Sequence, residues 1–242
     1  MNMQEAIMTA NALQFENKVA LEANLSQLKA EFLMSGVKAI DPAMFSIERF
    51  ANLSAEQQQV ILTNISSYLQ ILSENISPVK NRREYEIERL KCALRSFNLR
   101  LNNNDFFEKI GEEDFIELYN AQNIQIYRSV KFFNLCSYSL LDLSVNSWDE
   151  LYEKPVGVMA PLIEQIEQSK REQVTIPVQM GSFVQREKFA YASAAALRAF
   201  HVNFRWLTPL INQNTGATDG FLCTFTADVL GEGSSSNKFS VI

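Results

Sequence analysis

Up to about residue 103 the chain holds one glycine, Gly36, and two prolines, Pro42 and Pro78; every other glycine and proline follows. These two residue types are the strongest local interrupters of regular structure. Their distribution predicts a helical first half and a second half cut into shorter elements. In the first half, Leu21, Leu25, Leu28 and Phe32 fall on one helical stripe that Gly36 can end. Asp41 followed by Pro42 reads as a cap and a first-turn proline, opening a short helix that carries Met44, Phe45 and Ile47. Ser54 with Gln57 forms a capping-box pattern, and the helix behind it aligns Ile61, Ile65, Tyr68 and Leu72. With 242 residues and 47% hydrophobic content, two units with cores of their own are expected.

Residues 84–101 predict a connecting helix. Ile87, Leu90, Leu94, Phe97 and Leu101 recur at alternating spacings of three and four, as in a coiled-coil seam, so homodimerisation through them is expected. The repeat covers little more than two heptads. The flanks are basic, with Arg82, Arg83, Arg89, Lys91, Arg95 and Arg100 among them. No aromatic or glycine residues interleave them for base contact, so they read as a solvated face and not as a nucleic-acid site. A net charge of −6 offers no general attraction to phosphate or anionic lipid. The first residues lack a basic start with an apolar run, and no stretch has 18 uninterrupted apolar residues. Cys92, Cys136 and Cys223 are odd in number and lack metal-ligand spacing. A soluble, cytoplasmic chain with no membrane or nucleic-acid partner is the expectation.

From Asp105 the apolar period changes. "DFIELYN" and "IQIYRS" alternate on either side of the turn residues "AQN", which predicts a hairpin. An amphipathic helix begins at Leu162, Ile163 and Ile166. Alternating stretches follow at Val174 to Val178, at Val202, Phe204 and Trp206, and at Phe221, Cys223 and Phe225. Two strands, several short helices and about three more strands predict an α+β fold, with helices on one face of an antiparallel sheet.

The order and residues of this half resemble the PAS domain, a sensory module built on a five-stranded antiparallel sheet with short helices crossing one face. The resemblance covers roughly residues 114–230. Its first part is "YRSVKFFNLCSYSLLDL", with Phe132 and Phe133 in the aromatic slot, Ser137-Tyr138-Ser139 at the turn and Asp142-Leu143 after it. Its second is "WLTPLINQNTGATDGFLCTFTADV", with Pro209, Leu210, Gly216, Gly220 and the closing Asp228-Val229. Two departures stand out. Ser137 replaces the family's glycine, and the alanine-rich 183–200 stretch, readable as an inserted helix or a strand pair, fills what is normally a tight turn. The expected organisation is thus an N-terminal helical region over 1–103, read from the glycine and proline distribution, a PAS-like domain over 104–230, implied by the resemblance, and a flexible tail over 231–242, read from its composition.

Motifs for phosphate, dinucleotide or nucleophile-elbow chemistry are absent from the sequence, and the chain reads as a non-enzyme. His201 alternates onto the polar side of its strand. Flavin-binding PAS relatives carry a photoreactive cysteine in an "NCRFLQ"-type stretch; "LCSYSLL" lacks its Arg and Gln, so Cys136 reads as a buried apolar thiol and no cofactor is implied. Glu112, Glu113 and Asp114 read as solvent-facing caps. The remaining candidate is a cavity. The inner face of the sheet is expected to present Ile116, Leu118, Ile124, Ile126, Phe204, Trp206, Phe221, Cys223 and Phe225, with Phe133, Trp148 and Met159 approaching from the helices. These residues either fill a solid core or line a pocket for a small apolar or flat aromatic ligand. Two expectations follow: a cytoplasmic sensory or regulatory protein that dimerises and engages other signalling proteins, or a non-sensing scaffold with a solid PAS-like core. For the scaffold, the terminal Ser240-Val241-Ile242 suits a carboxylate-binding pocket.

Overall fold

The structure, a computed structural model, describes residues 3–74, 76, 81–188 and 197–230. The predicted tail, its terminal Ser240-Val241-Ile242 and the middle of the alanine-rich stretch lie outside the described residues. Among the described residues four helices precede a curled antiparallel sheet, so the fold is α+β. Helix α1 (Met3–Met34) stops before Gly36, which takes a φ of 69°, and it buries Leu21, Leu28 and Phe32. Helix α2 (Met44–Ala51) starts at Ala43, without a side-chain cap. Asp41, expected as that cap, instead pairs with Lys29 at 3.0 Å on the surface. Met44 and Phe45 are exposed, and Ser46 and Phe50 form the buried face. Helix α3 (Ala55–Ser73) opens on the Ser54–Gln57 capping box and buries Ile61, Ile65, Tyr68 and Leu72.

Helix α4 (Arg82–Ser96) is shorter than the expected 84–101. Asn98 adopts a φ of 55°, a left-handed conformation that asparagine tolerates, and the chain turns into strand β1 (Leu99–Leu101). The expected dimer seam is therefore split between a helix and a strand. Ile87, Leu90 and Leu94 are buried in the chain's own core, Phe97 packs at its margin, and Leu101 pairs with Leu210 in the sheet. These side chains are spent within one molecule and form no free interface. A stripe with this spacing fits any apolar surface, and here the surface belongs to the same chain.

Next come α5 (Phe106–Lys109), the hairpin β2 (Phe115–Asn120) and β3 (Gln125–Arg128), and a 3-10 turn at Val130–Asn134. Helices α6 (Leu140–Val145) and α7 (Trp148–Leu151) each open on a serine capping box, from Ser139 and Ser147. They lead to β4 (Tyr152–Glu153), α8 (Met159–Glu172), β5 (Ile176–Pro177) and β6 (Phe183–Glu187). Two long strands, β7 (Ala199–Asn212) and β8 (Thr218–Leu230), end the described residues. Residues 183–187 and 199–200 of the alanine-rich stretch are thus strand.

Neighbouring strands follow the order β3-β2-β8-β7-β6-β4, and β1 and β5 also pair with β7. Among the described residues the sheet has eight strands, against five expected, because β7 is long enough to take β6, β5 and β1 in succession along one edge. Helices also cover both faces, where one was expected. On one side Tyr68 of α3 lies 5.7 Å from the ring of Tyr127 and donates a hydrogen bond of 2.7 Å to the Arg128 carbonyl. On the other side lie α6, α7 and α8. Burial on both faces leaves Ile116, Leu118, Leu222 and Thr224 without exposure on one side and Glu117 and Cys223 2% exposed on the other. One hydrophobic cluster runs from Leu21 to Ala227, across the expected boundary near residue 103.

Candidate functional site

Strand register decides which side chains face α6–α8. Phe115 pairs with Phe225, Glu117 with Cys223 and Tyr119 with Phe221, so these six share the inner face. Ile116 and Leu118, expected there, point to the opposite face, among the residues covered by the N-terminal helices. Periodicity could not separate the two faces, because both are buried. In β7 the register slips between Phe204, opposite Phe225, and Trp206, opposite Thr224. The extra residue, Arg205, turns Trp206 away from the inner face and brings Leu207 onto it, opposite Cys223. Trp206 instead meets Lys109, whose Nζ is 4.5 Å from the ring centroid. Arg205 pairs with the fully buried Asp114 at 2.8 Å, so Asp114 is no solvent-facing cap.

One part of the inner face is solid. Phe132, from the 3-10 turn, lies 5.2 Å from Phe115, 5.7 Å from Phe225 and 6.0 Å from Phe200 by ring centroids. Beyond this aromatic block the helices stand off the sheet and leave a cleft of two adjoining lobes. The apolar lobe, about 270 Å³, has Trp148, Met159, Leu162, Ile163 and Ile166 on the helix side and Phe204, Leu207, Phe221 and Cys223 on the sheet side. The polar lobe, about 220 Å³, has Leu143, Ser144, Asn146 and Tyr152 on one side and Gln125 and Arg128 on the other. Tyr119, Gln122, Asn123, Ser147 and Trp148 line both.

Of the eight residues expected to bind ligand, Trp148, Met159, Phe204, Phe221 and Cys223 meet at this cleft. The other three do not line it. Phe133 is buried 4.8 Å from Phe32, on the N-terminal helices; Phe225 belongs to the solid block; Trp206 lies across the sheet.

An ion pair between Arg128 and Glu117 lies behind the cleft, with both side chains 3% exposed. Tyr119 Oη donates to Glu117 Oε2 at 2.7 Å, and the Cys223 thiol donates to the same oxygen at 3.7 Å. The guanidinium lies 4.2 Å from the centroid of Phe132, and Nη1 donates to Tyr152 Oη at 3.5 Å. Burial and the adjacent Glu117 carboxylate push both the Tyr119 hydroxyl and the Cys223 thiol up, so both stay protonated. Burial works against the charge on Arg128, but Glu117 together with Tyr152, Tyr119 and Cys136 outweighs it and the guanidinium stays ionised. Burying two charges is costly unless they are paired and hydrogen-bonded, and this group largely meets that condition. The exception is Arg128 Nε, which has no hydrogen-bond partner among the described residues.

Sequence reasoning missed Glu117, Arg128, Tyr119 and Tyr152. The available signal was the opposite charge of Glu117 and Arg128 at facing positions of the hairpin. Cys136 has no exposure, and burial raises its thiol to about 11. A thiolate nucleophile is therefore not available there at neutral pH.

The polar lobe is also wired to the N-terminal helices through α6. Asp142 accepts from the Ala43 amide at 3.1 Å, and Asn146 donates to Ser46 Oγ at 3.1 Å. Arg49 of α2 spans Asn146 at 3.1 Å and Glu150 at 2.8 Å.

No helix among the described residues is long and apolar enough to cross a membrane. Neither a family of known proteins nor any curated protein matches the chain.

Proposed function

We propose that this chain is a cytoplasmic sensory or regulatory protein whose PAS-like sheet binds a small ligand and passes occupancy to its N-terminal helices. The observation that carries the reading is the two-lobed cleft, one wall of which, α6, is hydrogen-bonded on its far side to α2. A ligand that favours one position of α6 shifts Ala43, Ser46 and Arg49 with it, because those contacts are directional and partly buried. Support for the PAS resemblance comes from the central strands β3-β2-β8-β7-β6, which form an antiparallel layer crossed by short helices. No catalytic step is required of any residue in this reading.

A second reading, a protein-interaction scaffold, is favoured by one observation. Leu33, Met34, Met44 and Phe45 are all more than half exposed around the junction of α1 and α2. A signalling partner or a second copy of the chain would dock there, since the Ile87 to Leu101 seam is internal.

The two readings part in one experiment. Native mass spectrometry and an absorbance scan of freshly purified protein are followed by titration with 1-anilinonaphthalene-8-sulfonate. Sensing predicts a retained small molecule or stoichiometric dye binding, reduced at least fivefold by Ile163→Trp, which fills the apolar lobe from a half-exposed position. No retained mass and no dye binding would leave the scaffold reading standing.

A further inference from the structure

The composition of the two lobes specifies the ligand further than "apolar". We infer that the cleft selects a flat aromatic molecule carrying an uncharged carbonyl head, such as an amide or lactam, with the head in the polar lobe against Arg128 and Tyr152. The inference rests on the cleft reading above.

Three observations converge on it. First, the apolar lobe is lined by aromatic and thioether groups on both sides: Phe204 and Phe221 rise from the sheet, while Trp148, Met159 and Ile163 close from the helices, with Trp148 set edge-on to Phe204 at 6.0 Å. Aromatic and thioether surfaces of this kind receive the face and edge of a planar ring. Second, Arg128 lines the polar lobe with hydrogen-bonding capacity left over. Its Nη2 is committed to Glu117, its Nη1 reaches only the Tyr152 hydroxyl at the long distance of 3.5 Å, and its Nε has no partner among the described residues. A buried guanidinium that is only partly satisfied favours an incoming acceptor oxygen. Third, the charge is already balanced. Glu117 neutralises Arg128 within the pair, so a carboxylate head would add an uncompensated negative charge close to Glu117, whereas a carbonyl would not. Gln122 and Asn123, which also line the lobe, are neutral amides that can match an amide N–H as well as its oxygen.

Three probes of matched shape test this by calorimetry on the full chain: indole-3-propanamide, indole-3-propionate and 3-propylindole. The amide should bind at least tenfold tighter than 3-propylindole and tighter than the carboxylate. Equal or tighter binding of either competitor would overturn the inference while leaving the cleft reading intact; failure of all three to bind would overturn both. The double variant Glu117→Leu/Arg128→Met removes the pair together, which avoids stranding one buried charge. In it, the preference of the amide over 3-propylindole should fall below threefold, with 3-propylindole affinity unchanged. Persistence of the tenfold preference would show that the head binds elsewhere. Tyr152→Phe supplies the same readout from a milder change, with a loss of at least threefold for the amide alone.

Discussion

Glu187 illustrates how a single residue acquires a role that its neighbours in sequence do not suggest. It lies at the end of β6, yet its carboxylate accepts from the Ser137 amide at 2.7 Å and from the Arg198 amide at 3.1 Å. It thereby joins the crossover before α6 to the edge of the sheet. Burial raises its pKa above the usual carboxylate range, against the opposing pull of those hydrogen bonds. The folded chain therefore holds this proton to a higher pH than the unfolded chain does. Its contribution to stability is greatest below the ordinary carboxylate pKa of about 4.3 and is lost as pH rises through the raised folded value. Glu187→Gln removes that dependence and costs one acceptor, a pH-independent offset of about 1–2 kcal/mol. Melting temperatures of the two proteins between pH 4 and 8 should converge as pH rises, by about 2–4 °C for each kcal/mol of linkage. Parallel curves would show that the carboxylate titrates alike in both states.

At the level of elements, α4 shows why spacing alone misassigns a partner. Its apolar residues have the coiled-coil alternation, and the helix was legible from them; in the structure it opens on Asn81, whose side chain accepts from the Glu84 amide at 2.9 Å. Where it stops was set by Asn98, and where its stripe goes was set by the sheet. Leu90 has no exposure and Leu94 is 6% exposed. Replacing both by Glu should therefore destabilise the chain by about 4 kcal/mol or more, through lost burial and unpaired charge in a dry core. Denaturant titration monitored by circular dichroism reads this directly. A stable, fully folded Leu90→Glu/Leu94→Glu protein would mean that the seam is external after all. The bulge at Arg205 makes the same point in β7: one extra residue exchanges Trp206 for Leu207 on the inner face, an outcome invisible to any count of alternation.

Across the whole molecule, the helical and sheet portions share one cluster of buried side chains, with Phe32, Tyr68, Tyr127 and Phe133 in mutual ring contact at the junction. Elements that share a core lose it together. Calorimetry should accordingly give one cooperative transition whose calorimetric and van't Hoff enthalpies agree. Two resolved transitions would mean that the first hundred residues fold as a unit of their own. The same shared core gives the proposed ligand response its route, since α6 contacts the cleft on one side and α2 on the other.

Much of this architecture is local in origin and was therefore open to reading from the chain. Helix stripes, the Ser54 box, the β2–β3 hairpin and the closing pair of long strands follow from residue type and spacing, because backbone preference and side-chain periodicity act within a few positions. Five of the eight expected cleft residues were also found this way, since they are the large apolar groups of elements whose existence was clear. Tertiary structure alone decided the rest: which buried face of the sheet each residue takes, that helices cover both faces, that the α4 stripe is used internally, and that Glu117 and Arg128 meet. Each of these depends on register or on what packs from a distant segment. Such contacts are selected by the total burial of the folded chain, which no short window of sequence contains.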